Sequence, residues 1–238
     1  DSKAPFVGQS AFGHKGGSHV DGVKKNPRTF EHIPPESVGN ERRVLMSELS
    51  GGSSVLLKAV ELGVDRLESA NNAREVLGAL KQQEAQGYAF EAADASFRLL
   101  VEKVLQKRRS FFDLDGFRVI VEKRGPSQPC LSEATVKLRV CGEEELTVAE
   151  GDGPVNALDK ALRQALTRFY PEIASVQLTD FRVRILDPEE TTAAKTRVLI
   201  ESTDGKTSWG TVGVSENIIE ASWEALVDSV EYKLFMEE

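Results

Sequence analysis

Proton-transfer chemistry near neutral pH is sought first among histidines, whose ordinary pKa lies there. The 238-residue sequence holds only three, and two of them, His14 and His19, stand five residues apart in "FGHKGGSHVDGVKKNP". Gly16 and Gly17 admit backbone angles closed to other residues, so this loop can bend tightly into a neighbouring cleft. Ser18 fits a helix N-cap, which puts His19 in the first turn of a short helix. The positive end of the helix dipole disfavours an imidazolium there, leaving a neutral imidazole able to donate or accept a proton. On the residues alone, a catalytic and a structural His19 both remain open. His14 is assigned to packing or hydrogen bonding. Asp21 is the weaker candidate, because an acidic residue early in a helix is stabilising for ordinary dipole reasons.

Other reactive groups are sparse. Lys24, Lys25 and Arg28 either meet a phosphorylated ligand such as coenzyme A or form a solvated helix face. Cys130 and Cys141 are the only cysteines; far from any histidine, they make no zinc site, and their scarcity fits a reducing cytoplasm. A net charge of −8 argues against nucleic acid as the partner. No run of roughly 20 apolar residues is present, so no spanning helix and no membrane partner are expected. The N-terminus lacks the charged-then-apolar pattern of a secretory signal. The first residue is Asp1 rather than Met, and the expectation is a piece of a longer, cytoplasmic polypeptide.

Three zones must position these groups. Residues 1–50 are rich in Gly, Pro and Ser, with breakers at Pro27, Pro34 and Pro35; such a segment has little core of its own and leans on a larger partner. Residues 51–110 read as helices. "SGGSSVLLKAVELG" offers a Ser cap, an apolar stripe and Gly63 as a stop, and Val76, Leu80, Phe90, Phe97, Leu100, Val101, Val104 and Leu105 recur near helical spacing, broken by Gly87. Residues 111–238 repeat themselves, as about 111–174 and 175–238. "GFRVIVE" at Gly116 is echoed by "DFRVRIL" at Asp180, "ATVKLRV" at Ala134 by "KTRVLIE" at Lys195, and "NALDKALRQAL" at Asn156 by "EASWEALVDSV" at Glu220, at an offset near sixty. Each unit reads strand, strand, strand, helix. Phe117, Val119 and Val121 alternate with polar or outward residues, as do Val136, Leu138 and Val140, which means a sheet covered on one face. The stripe Val155, Leu158, Ala161, Leu162, Ala165, Leu166 and Phe169 supplies the cover, and Ile219, Trp223, Leu226 and Val230 repeat it. The expected class is α+β: Gly/Pro-rich and helical linker subdomains, then a pseudo-symmetric duplicated domain. A crevice between such units suits a small ligand; a purely structural dimerisation module fits the pattern equally well.

Two stretches resemble a known family. "SAFGHKGGSHVDGVKKNPRTFEHIPPESVGNERRVLMSELSGGSSVL" looks like the segment after the catalytic barrel of citramalate synthases, relatives of 2-isopropylmalate synthases and homocitrate synthases. "EGDGPVNALDKAL" and "GVSENIIEASWEAL" resemble their regulatory domain, and "ENIIEASWEALVDSVEYKL" leans toward the citramalate type. The resemblance implies a (β/α)₈ barrel in which a divalent metal holds a 2-keto acid, pyruvate in the citramalate enzymes, and acetyl-CoA is condensed with it. The sequence contains no His-x-His of the kind that ligates that metal. The expectation is therefore a C-terminal part: a linker subdomain (1–50), a helical linker subdomain (51–110) and a regulatory, dimerising domain (111–238), with no cofactor of its own and no condensation activity alone.

By the same resemblance His19 matches a linker histidine that reaches into a barrel and helps proton transfer or polarises the thioester carbonyl. Phe30 stands where relatives commonly carry a tyrosine, keeping the ring without the hydroxyl. The regulatory domain would bind the end-product amino acid at a subunit interface of a homodimer: isoleucine for citramalate synthases, leucine for 2-isopropylmalate synthases. The family's Gly-Asn-Gly-Pro turn matches Gly151 to Pro154, with Asp152 replacing the asparagine. Glycines let a ligand approach the backbone, and the N–H groups of a helix start favour a carboxylate. Asp152, Gly153, Pro154 and Val155 are thus effector-binding candidates. Leu178, Phe181 and Ile185 match the apolar wall, the last two sharing a strand face; Val198 and the turn at Glu216 and Asn217 come from the second repeat. The rivals are a leucine-answering 2-isopropylmalate synthase and a freestanding amino-acid-binding module.

Overall fold

Periodicity of two and of 3.6 alternate along the chain as the strands and helices do. The computed structural model describes residues 4–8, 10–15, 17–45, 52–64, 70–186 and 194–237. Gly16, Ser50, Gly51 and the side chain of Lys24, singled out above, lie outside the described residues. The chain divides into two compact units, Asp1–Lys107 and Arg108–Glu238.

In the first unit β1 (Gly13–Lys15) leads into α1 (Gly17–Lys25), and two 3-10 turns, Pro27–Thr29 and Pro35–Val38, carry the chain to β2 (Arg43–Leu45). Strands β1 and β2 pair in parallel, His14 opposite Val44. Asn26 caps the first 3-10 turn by accepting from the Arg28 N–H at 3.1 Å, and Pro27 follows at the position where a missing N–H costs nothing. Helix α1 starts at Gly17, so Ser18 lies within its first turn rather than ahead of it, and His19 follows in that same turn. Three helices complete the unit: α2 (Gly52–Glu61), α3 (Ala70–Ala85) and α4 (Asp94–Val104). Their core is Val55, Ala59, Val76, Leu80, Phe90, Phe97 and Val101, all at most 1% exposed. Gly63 and Gly87, with φ of +74° and +109°, turn the chain after α2 and α3, as helix-ending glycines do. Lys58, buried in α2, is held by Asp94 at 2.7 Å and Glu61 at 3.0 Å, because an unpaired buried ammonium would be prohibitively costly.

The second unit is built twice over. Strands β3 (Phe112–Glu122), β4 (Leu131–Val140) and β5 (Glu143–Gly151) form an antiparallel sheet in sequence order, followed by α5 (Pro154–Thr167). After a 3-10 turn, Pro171–Ser175, strands β6 (Gln177–Ile185), β7 (Thr196–Thr203) and β8 (Ser208–Ser215) form the second sheet, followed by α6 (Ile218–Glu237). The register fixes the repeat at 64 positions: Phe117 pairs with Val136 as Phe181 pairs with Ile200, and a bulge follows Leu114 as one follows Leu178. The counterpart of Ala134 is therefore Val198, three places beyond the echo expected at Lys195. The echo at Lys195 matches Thr196 to Thr135 and Leu199 to Leu138 by letter, whereas the buried face of β7 includes Val198, Ile200 and Ser202.

Each helix lies on its sheet through the same polar bond. Thr147 Oγ1 donates to the Ala161 carbonyl in one repeat and Thr211 Oγ1 to the Ala225 carbonyl in the other, both at 2.8 Å. Close approach is enforced by glycine at β8, where a Cβ on Gly213 would stand 2.0 Å from the Ala221 carbonyl oxygen. One hydrophobic core joins the repeats, with Leu138, Leu158, Leu162, Leu166, Val198, Ile200 and Leu226 all at most 2% exposed. The β4–β5 hairpin turns on Cys141 and Gly142, with φ of +50° and +86°, the backbone of a two-residue turn that matches strand twist.

Candidate functional site

Between the start of α5 and the start of β6 lies a cleft of about 490 Å³, lined by Val155, Asn156, Asp159 and Arg163 on one side and Val176, Gln177, Leu178 and Phe181 on the other. That size is ordinary for a small-molecule site. Gly151 makes it possible: a Cβ there would come within 2.4 Å of the Ala157 nitrogen, so only glycine lets the helix begin this close to the strand end. Asn156 ties the turn down, its Oδ1 accepting from the Asp152 N–H at 3.2 Å. Arg163 holds the far end. It donates through Nε to Asp159 Oδ1 at 2.8 Å and through Nη1 to the Val176 carbonyl at 2.6 Å, fixing the chain that enters β6. Burial pushes the Asp159 carboxyl above its usual range, and the Arg163 guanidinium pulls back against it. The result is a cleft with an apolar wall (Val155, Leu178, Phe181) and a polar wall (Asn156, Asp159, Arg163). Such a pairing suits a ligand with an aliphatic body and a charged head.

In the first unit the exposed His19 ring stacks on Phe30, centroids 4.4 Å apart and planes 28° from parallel. Gly22, one turn along α1, admits that ring: a Cβ there would stand 2.7 Å from Phe30 Cε2. Next in sequence, Glu31 is buried and gathers two partners. It accepts from Arg42 Nε at 2.6 Å and Nη2 at 2.7 Å, and its Oε1 lies 2.8 Å from His14 Nε2. These bonds, the Arg42 pair foremost, hold the Glu31 carboxyl below its usual range. His32 packs edge-on to Phe6, ring centroids 5.8 Å apart. Lys25 is engaged by Asp21 at 2.7 Å, a pair one helical turn long.

Comparison with known proteins places both units. Residues 91–234 match the LeuA allosteric (dimerisation) domain, which is more than half of the chain. The chain belongs to that family. Within this LeuA-type chain, residues 6–87 additionally match the homocitrate synthase post-HMGL domain-like family. Over 98% of its length the chain is 53% identical to an (R)-citramalate synthase of Geobacter sulfurreducens, 54% to one of Synechocystis sp. and 50% to one of Aquifex aeolicus. It spans 43–44% of the length of these relatives.

Of the residues proposed from sequence for the LeuA-type effector site, the structure brings Val155, Leu178 and Phe181 together in the cleft. Asp152, Gly153 and Pro154 form the turn into α5 directly before Val155. Ile185 shares the strand face of Phe181 but stands 55% exposed at the far end of β6, and Val198 is fully buried in the core. Asn217 caps α6, accepting from the Ile219 N–H at 2.9 Å, and Glu216 is exposed beside it. Asn156, Asp159, Arg163, Val176 and Gln177 line the cleft without having been singled out. The signal available for two of them was the i,i+4 spacing of Asp159 and Arg163, which reads equally well as a solvated helical pair. Among the described residues no group of three or more His, Cys, Asp or Glu side chains is placed to hold a metal ion, and no helix is long and apolar enough to cross a membrane.

Proposed function

We propose that this chain is the C-terminal regulatory part of a cytoplasmic citramalate synthase, an acyltransferase of isoleucine biosynthesis, and that its second unit senses isoleucine. The reaction joins the methyl carbon of acetyl-CoA to the keto carbon of pyruvate; water then cleaves the thioester, releasing coenzyme A and (R)-citramalate. A divalent metal in a catalytic barrel contributed by the rest of the polypeptide would hold the keto acid. His19, backed by Phe30, reaches that barrel and moves a proton or polarises the thioester carbonyl. That its relatives are (R)-citramalate synthases favours this reading over the leucine-answering alternative. The match to a dimerisation domain supports a homodimer, and exposed Leu146, Val148, Val183 and Ile185 are apolar surface that a second copy would cover.

The observation that carries the sensor reading is the cleft itself, an apolar wall facing the half-buried Asp159–Arg163 pair beside the open N–H groups at the start of α5. The aliphatic side chain lies against Leu178 and Phe181, and the α-carboxylate meets the helix start. Calorimetric titration of the intact protein with isoleucine and with leucine tests it. Isoleucine is expected to bind more tightly. Silence toward both amino acids overturns the reading, and tighter leucine binding reassigns the effector.

A further inference from the structure

The 64-residue repeat predicts a second cleft. Applied to the lining of the open one, it carries Val155 to Ile219, Asp159 to Trp223, Arg163 to Val227, Val176 to Phe112, Leu178 to Leu114 and Phe181 to Phe117. The apolar wall is kept almost in kind: leucine for leucine, phenylalanine for phenylalanine, isoleucine for valine. The polar wall is not. Where Asp159 and Arg163 leave space, Trp223 reaches across from α6 and packs on Phe117 of β3, ring centroids 5.2 Å apart and planes 31° from parallel. Trp223 is 7% exposed and belongs, with Phe112, to the core cluster. Phe112 in place of valine adds further bulk on the same side. Glu220, which takes the place of Asn156, is turned away to accept from Ser215 Oγ at 2.7 Å.

We infer that the α6/β3 crevice is a second effector-type cleft that the chain fills from within, with Trp223 as its plug, so that the folded domain offers one amino-acid site per chain rather than two. The stoichiometry part rests on the sensor reading; the plug does not. Its logic is that of close packing. An indole seated against an aromatic ring leaves no room for a ligand, and removing it opens an apolar space beside Phe117 and Ile219 that an apolar molecule of similar shape can enter.

Two measurements on the intact protein test this. Calorimetry of the unaltered protein with isoleucine is expected to give one bound molecule per chain; two per chain overturns the inference. No binding at all overturns the sensor reading and leaves the plug to the second measurement, thermal melting of Trp223→Ala with and without indole as the probe. Indole is expected to raise the melting temperature of Trp223→Ala by several degrees, in saturable fashion, and to leave the unaltered protein unmoved. A folded Trp223→Ala that ignores indole overturns the inference, as does an unaltered protein that indole stabilises equally. Should alanine prevent folding, Trp223→Leu with benzene as the probe reads the smaller cavity by the same criteria.

Discussion

At Gly22 one absent methyl group decides where an aromatic ring lies. The Phe30 ring occupies the space a Cβ would take, 2.7 Å from its ideal position, and from there it stacks on His19. The conflict is with the far end of a side chain, so an alanine would displace the ring rather than unfold the helix. Alanine also favours helix by about 1 kcal/mol over glycine. Gly22→Ala is therefore expected to hold or raise the melting temperature while lowering turnover of the intact protein about tenfold or more, the scale of loss that follows from misplacing a reacting group. Isoleucine affinity should not move. A variant with full turnover would separate the His19–Phe30 stack from the chemistry.

Elements carry a different kind of constraint, because a few side-chain bonds tie one element to the next. Asp204 closes the β7–β8 turn by accepting from the Lys206 and Thr207 N–H groups at 2.9 and 2.8 Å, and it also receives Lys233 of α6 at 2.8 Å. Lys233, foremost, and those N–H groups hold the Asp204 carboxyl far below its usual range, while Asp204 raises Lys233. A carboxyl depressed in the folded state contributes stability that is present above its unfolded pKa, about 3.9, and is lost progressively as pH falls below it. Asp204→Asn keeps a turn acceptor but removes the charge, so it should melt below the unaltered protein at pH 7, and the gap should shrink steadily below about pH 4. A gap independent of pH would mean the turn, not the ion pair, carries the effect. Elements were also the most legible level of the sequence. Alternation along Phe117 to Val121 and Val136 to Val140, and the stripe from Val155 to Leu166, translate directly into a sheet covered by a helix because burial of one face writes a period into the residues. The cleft was legible only on its apolar side. Asp159 and Arg163 obey the i,i+4 rule of an exposed pair, and nothing local tells that β6, arriving from twenty residues away, turns that pair into a wall. The exact repeat offset is hidden for a related reason: Thr196 and Leu199 match Thr135 and Leu138 by letter at a shorter offset, while the hydrogen-bond register that fixes 64 positions is a property of paired strands.

On the scale of the whole molecule, the proposed function places an effector cleft in one unit and a reactive histidine in the other, and such an arrangement regulates only if the two are energetically coupled. Coupling of binding free energies is reciprocal. If isoleucine weakens equilibrium binding of acetyl-CoA to the intact protein by some factor, acetyl-CoA must weaken isoleucine binding by that same factor, typically about 5- to 150-fold in allosteric systems. Titrating isoleucine in the presence and absence of saturating acetyl-CoA measures one direction, and titrating acetyl-CoA with and without isoleucine measures the other. The expected result is a single factor, distinct from one, in both. His19→Ala should lower turnover yet leave isoleucine binding as tight as before, because the ring sits in the other unit from the cleft. A factor of one in both directions, with isoleucine still bound, would make the LeuA-type unit a ligand-binding module that does not control substrate affinity, and regulation would then have to act on turnover alone.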